Sequence, residues 1–155
     1  MGAKTNAMRI LDSLKIEYTE HTYSGVISGI DVANVLNQNP DRVFKTLVTV
    51  GHSKTNYVFI VPVAQELDLK KAAHTVGEKS VEMVKSKELL PLTGYIHGGC
   101  SPIGMKKQFK TIIHSSAENY DKILLSGGKI GIQIELSPQA LQQATGCFSE
   151  YLIKD

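Results

Sequence analysis

Two runs rich in β-branched and aromatic residues, 43–50 and 57–63, flank the polar loop Gly51-His52-Ser53-Lys54-Thr55-Asn56. Apolar runs separated by a short turn-prone loop read as a β-hairpin. A hairpin is marginal alone and needs further strands or a helical cover, so this pair commits the chain to a larger sheet. The rest of the sequence supplies the strands. Residues 16–23 alternate, 81–84 and 109–114 read as short strands, and the strand 123–126 is followed by Gly127-Gly128 and the period-two run 130–136.

Helices fall between these strands. Asn6 is the expected cap of a first helix, with Met8, Leu11 and Leu14 on its inner stripe. Gly25 and Gly29 mark a loop before a short helix carrying Val32, Val35 and Leu36, which closes near Asn39-Pro40. Asp68 caps residues 69–76 with Gly77 behind them, and a helical turn runs from Ser86 to Gly94. Ser137-Pro138 starts a last helix that Gly146 ends. The expected fold class is α/β (α+β): a mixed sheet, possibly curled into a barrel, flanked by helices. At 155 residues, without repeats or low-complexity linkers, the chain reads as one domain spanning 1–155.

Composition removes several functions. Seventeen Lys and Arg against fifteen Asp and Glu give a net charge of +2, too little for a broadly cationic DNA binder. A small nucleic-acid footprint stays open. No apolar run reaches the length of about 18 residues that a membrane span needs. Met1-Gly2-Ala3-Lys4-Thr5-Asn6 lacks the apolar stretch of a secretory signal and the spacing for myristoylation. Two cysteines, Cys100 and Cys147, make no disulfide framework and no paired zinc spacing, so a cytoplasmic protein without metal or cofactor is expected.

Several residues could carry chemistry. Lys45 lies in an apolar strand, where an ammonium must reach water, find a partner or lose basicity; it could equally be a snorkelling or edge-strand lysine. Gly98-Gly99-Cys100-Ser101-Pro102-Ile103-Gly104 can expose main-chain N–H groups to a phosphate or an oxyanion, or can be an ordinary turn-rich connection. Ser101 lacks a nucleophile elbow, and Cys100 with His97 would be an incomplete metal site. Lys106, Lys107 and Lys110 follow the loop as candidate phosphate contacts or as a solvated face. Tyr23 could stack on a base or sit at the edge of the core.

Taken in order, His21-Thr22-Tyr23, the run Phe44-Lys45-Thr46-Leu47-Val48, the segment Leu67-Asp68-Leu69-Lys70-Lys71-Ala72, the glycine loop with Met105-Lys106-Lys107, and residues 126–136 resemble the YbaK/EbsC family. These are free-standing relatives of the editing domain inserted in bacterial prolyl-tRNA synthetases. The resemblance implies a trans-editing aminoacyl-tRNA deacylase acting at the acceptor end of mischarged tRNA(Pro), with prolyl-tRNA synthetase a possible partner. Neither a membrane nor DNA is expected as a partner. It is most similar to the branch that removes cysteine; relatives that remove alanine share part of the pattern. Carried over by position, Lys45 is the catalytic lysine, and Tyr23, Thr46, Gly98, Gly99, Ser101, Pro102 and Gly104 form the substrate site. Ser28 departs from the pattern, standing where a larger pocket residue is expected.

The implied mechanism is substrate-assisted. An aminoacyl ester is already activated, so positioning and charge stabilisation suffice. A cysteinyl thiol can attack its own carbonyl and leave as a thiolactone, which makes the reaction lyase-like rather than hydrolytic. Two rivals are a noncatalytic tRNA- or nucleotide-binding module and a hydrolase working through Cys100.

Overall fold

The computed structural model describes residues 4–26 and 28–155. The reading of Met1–Ala3 as part of a chain start without a leader, and Ile27 in the Gly25–Gly29 loop, lie outside the described residues. The element order is α1 (Asn6–Ser13), β1 (Thr19–Thr22), α2 (Gly29–Val35), β2 (Phe44–Gly51), β3 (Asn56–Pro62), α3 (Leu69–Val76), β4 (Val81–Met83), α4 (Ser86–Thr93), β5 (Lys110–His114), β6 (Ile123–Lys129), β7 (Ile132–Leu136), α5 (Pro138–Thr145) and β8 (Phe148–Glu150).

The strands form two sheets, ordered β1-β7-β6 and β4-β2-β3-β5-β8, rather than a closed barrel. The larger sheet is mixed: β4, β2 and β3 are antiparallel, while β3, β5 and β8 run parallel. Among the described residues, one parallel bridge, Val43 with Leu124, links the main chains of the two sheets. The expected hairpin is present as β2–β3, in register from Phe44 opposite Pro62 to Val50 opposite Asn56. Both its faces are covered. Phe44, Val48, Val58 and Ile60 pack with Met8 and Leu11 of α1, Leu125 and Ile134 of the small sheet, and Leu141 of α5. Tyr57, Phe59 and Val61 pack on the other side with Ala72 and Ala73 of α3 and with Leu152. A third cluster, Ala33, Val43, Val63 and Leu124, lets α2 seal the junction of the sheets.

Local signals set most boundaries. Asp68 accepts from the amides of Lys70 and Lys71, and Ser137 accepts from that of Ala140, as their capping positions require. Gly77, Gly94 and Gly146 end their helices in the left-handed conformation.

Tertiary contacts overrode the others. Thr5, not Asn6, caps α1, because the Asn6 side chain donates to the carbonyl of Gly104. Leu14, expected on the inner stripe of the first helix, is 40% exposed, since α1 ends at Ser13; Val35, the last residue of α2, is 52% exposed. The strand expected over 16–23 shrinks to β1, the stretch that β7 pairs. Gly127-Gly128 do not turn the chain: β6 runs through them as a bulge between Ser126 and Lys129, and the reversal falls at Ile130-Gly131. The parallel strand β8 has only three residues, too few to announce itself by pattern.

Beyond β8 the chain returns to the core. The Leu152 amide donates to Nδ1 of His114 at 3.1 Å, and Leu67 bridges Ile153. His114 is only 3% exposed. Burial, followed by the nearby Lys71 ammonium, lowers its pKa below the ordinary histidine value. The unfolded chain therefore binds this proton more readily, and the His114 contribution destabilises the fold as pH falls below about 6.5. In His114→Gln the drop in Tm between pH 7 and pH 5 should be shallower than in the wild type. Melting curves across that range check it, and parallel drops in the two proteins would refute it.

Candidate active site

The two sheets meet at Val43–Leu124 and then diverge, and the gap between β2 and β6 opens as a cavity of about 680 Å³. This lies within the usual size range of small-molecule sites. Residues from both faces of β2 line it, Lys45 and Leu47 as well as Phe44, Thr46 and Val48, as expected when a ligand space lies along a strand edge. Beyond β2 the walls come from Ser28, Gly29 and Val32 at α2, Met83 at the end of β4 and Val84 just after it, Ser86 and Leu89 of α4, and Ser126 and Gln133 of the small sheet. The glycine loop contributes His97, Gly98 and Cys100, and Tyr23 completes the rim.

Main-chain geometry leaves part of this edge unpaired by β3. The Val63 amide donates to the Val43 carbonyl at 2.8 Å, and the Gly51 amide to the Thr55 carbonyl at 2.8 Å. In an antiparallel ladder such bonded residues alternate, so odd-numbered residues of β2 turn their main-chain groups toward β3. Thr46 therefore turns its N–H and C=O toward the gap, and β4 pairs with β2 only from Thr49 onward. The Thr46 hydroxyl is buried without a hydrogen-bond partner, and so is the side-chain oxygen of Gln133.

Among the described residues, Lys45 is the one Lys or Arg on the cavity wall, and no Asp or Glu lines it. Desolvation lowers the Lys45 pKa, and the distant pull of Glu66 only partly opposes this. Glu66 itself is paired to Lys154 at 3.0 Å. A partly desolvated ammonium facing an acid-free space favours a ligand that brings negative charge.

Tyr23, Lys45, Thr46 and Gly98 are thus brought together around one space. The other loop residues sit behind it. Ser101 is fully buried, and its hydroxyl accepts from the Ile103 amide at 3.2 Å. Pro102 is buried, and the Gly104 carbonyl is held by Asn6. Tyr95 fastens the same loop by donating to the Ile103 carbonyl at 2.6 Å, and burial pushes its phenol up to about 12. Gly99 is required by close approach: a Cβ there would lie 2.8 Å from the Ile130 nitrogen. Ser28, expected to be larger, uses its hydroxyl to cap α2 by accepting from the Asp31 amide.

Lys106 and Lys107 are exposed just past the loop, and the Lys106 stem runs beside Gly94. Lys110 lies elsewhere. It is in register with Tyr57, whereas Lys45 is opposite Val61, four residues along β3. That separates them by about 13 Å along the strand direction. The Lys110 ammonium lies 5.6 Å from the Phe148 ring centroid. Sequence reasoning missed Gln133 and Ser126. The period-two run over 130–136 marked a strand but gave no sign that the face carrying Gln133 turns into a cavity.

The aminoacyl-tRNA editing domain family matches residues 27–144. The chain belongs to that family. Among relatives of this editing domain, an Enterococcus faecalis protein named "Putative Cys-tRNA(Pro)/Cys-tRNA(Cys) deacylase EbsC" is 47% identical over 156 residues, covering 98% of this chain and 95% of its own. A crystal structure described as "a putative trans-editing enzyme for prolyl tRNA synthetase" superposes with a TM-score of 0.85 at 22% identity, over 99% of this chain and 100% of that one. The hypothetical protein APE2540 superposes with a TM-score of 0.88 at 19% identity, over 96% and 99%. These two likenesses establish the fold of an editing domain.

The thiol of this editing domain's cavity is not an activated nucleophile. Cys100 is 7% exposed, and burial pushes its pKa up to about 12. At pH 8 only about one thiol in 10,000 would be ionised, against roughly a quarter for a free cysteine. Alkylation of Cys100 by iodoacetamide at pH 8 should run about three orders of magnitude slower in the native protein than in urea. Peptide mapping by mass spectrometry measures both rates, and comparable rates would restore Cys100 as a candidate nucleophile.

Proposed function

We propose that this chain is a trans-editing deacylase that removes cysteine from mischarged tRNA(Pro). One observation carries the reading: a cavity lined, among the described residues, by one desolvated lysine and no carboxylate, along an edge of β2 where Thr46 turns its main-chain N–H away from β3. The relationship to an editing-domain family supports it. Such a wall contains neither a Ser-His-Asp set nor facing carboxylates, so the chain supplies no strong base or nucleophile. It supplies charge and position.

In this mechanism Lys45 holds the phosphate of the terminal adenosine or the ester oxygen, and Tyr23 packs against the ribose or base. The Gly98 segment and the Thr46 N–H face the carbonyl oxygen as it gains charge. The thiol of the bound cysteinyl group attacks its own carbonyl. The ester C–O bond breaks, the ribose hydroxyl leaves with the proton, and a thiolactone is released. Gly99, Ser101, Pro102 and Gly104 keep the loop in place from behind. Lys106 and Lys107 contact phosphates of the acceptor end, while Lys110 faces away from it. Delivery by prolyl-tRNA synthetase would supply the tRNA selectivity that so small a footprint lacks.

Lys45→Met should lower deacylation of Cys-tRNA(Pro) by about 30- to 1,000-fold, the loss of roughly 2–4 kcal/mol of transition-state stabilisation. It should leave Tm unchanged or higher, since it removes a desolvated charge. Single-turnover deacylation with melting curves tests both, and a folded variant with wild-type rate would refute the assignment.

tRNA affinity should fall with salt at a log–log slope of about −1.5 to −2.5 if two or three phosphates are contacted. In Lys106→Ala/Lys107→Ala the slope should flatten. An unchanged slope would make those lysines a solvated face.

A further inference from the structure

Gln133 is 7% exposed, lines the cavity, and leaves its side-chain oxygen buried without a hydrogen-bond partner. Only two other side-chain atoms among the described residues share that condition, and one of them, the Thr46 hydroxyl, lines the same cavity. Buried polar groups are nearly always paired, so two unpartnered oxygens on residues that line one cavity point to a ligand that supplies the missing partners. An amide oxygen can only accept. The missing partner is therefore a donor.

Position selects which donor. Gln133 lies on β7, opposite His21 of β1 and Ser126 of β6, whereas Lys45 lies on β2 across the gap. The ligand is thus met by a cation on one wall and by a neutral acceptor on the other. A positively charged donor avoids the Lys45 wall and is stabilised at the Gln133 wall. Glu135, two residues along the same face of β7, does not compete for it. Its carboxylate is held by Arg42 at 2.9 Å and by His21 at 2.8 Å.

Resting on the deacylase reading above, we propose that Gln133 recognises the free α-ammonium of the aminoacyl group through its side-chain carbonyl. The site then accepts aminoacyl esters with a free amine and rejects those whose amine is acylated, such as formylated or peptidyl esters. An acylated amine has lost the charge and two of its donor hydrogens, and it brings bulk against a buried wall.

Two non-hydrolysable analogues test this: 3′-cysteinylamido-3′-deoxyadenosine and its 3-mercaptopropionyl counterpart, which lacks only the amine. By calorimetry the wild type should bind the amine-bearing analogue about 10- to 100-fold more tightly, the usual worth of a hydrogen bond to a charged group. Gln133→Leu should bind both within threefold of each other (roughly the noise between single packing changes). Gln133→Glu should widen the preference for the amine and decides the matter if the leucine variant does not fold. A preference that persists in Gln133→Leu, an unchanged preference in Gln133→Glu, or none in the wild type overturns the assignment.

Wild-type deacylation of Cys-tRNA(Pro) is measured alongside. An inactive protein that still prefers the amine would end the deacylase reading and keep Gln133 as an amine-binding residue. An active protein without the preference would end the Gln133 proposal alone. A wild type that binds neither analogue would overturn both.

Discussion

Among the described residues, main-chain pairing between the two sheets is confined to one residue pair, Val43 with Leu124, and the cavity follows from that economy. Had β2 and β6 paired along their length, the edge of β2 would be satisfied and the structure would approach a closed barrel without an interior site. One bridge instead fixes the hinge of a wedge. Ala33 and Val63 pack around the pair, so α2 covers the narrow end and the strands separate beyond it. The ion pairs that tie Arg42 and His21 to Glu135 brace the same narrow end from the polar side.

A wedge of this kind leaves main chain unpaired, which a buried strand ordinarily cannot tolerate. Here the unpaired edge sits beside a desolvated ammonium and two orphaned side-chain oxygens. Each is unfavourable alone. Together they form a lining with unmet electrostatic demands of both signs, organised by strands whose outer faces are fully packed. Rigid walls matter because dipoles that must reorient during a reaction give back much of what they contribute. The β2–β3 hairpin supports this wall with side chains packed into two hydrophobic clusters.

What could be read from the sequence was largely what is local. The hairpin, the Asp68 and Ser137 caps and the glycine helix ends depend on residues a few positions apart. The lone lysine in an apolar strand and the glycine loop were likewise visible as departures from pattern. What escaped depends on long-range partners. Asn6 yields the cap to Thr5 and donates its side chain to Gly104, almost a hundred residues away, and the Gly127-Gly128 bulge depends on the register with β7. Ser101 was legible as part of a motif, yet its full burial behind the loop was not. Gln133 shows the limit most clearly: alternation assigns a face, but only the meeting of two sheets decides whether that face sees solvent or a ligand.

The approach of Gly99 to the main chain of Lys129 and Ile130 carries an evolutionary consequence. The glycine loop and the tip of the β6–β7 ribbon touch with no side chain between them, so neither can drift independently. One inserted residue at the ribbon tip would displace the loop and shift the cavity wall attached to it. A bulkier residue at position 99 would do the same from the other side. Length variation in descendants of this chain should therefore accumulate in the 51–56 loop, at the far end of the hairpin, while these two segments stay fixed in length or change as a pair.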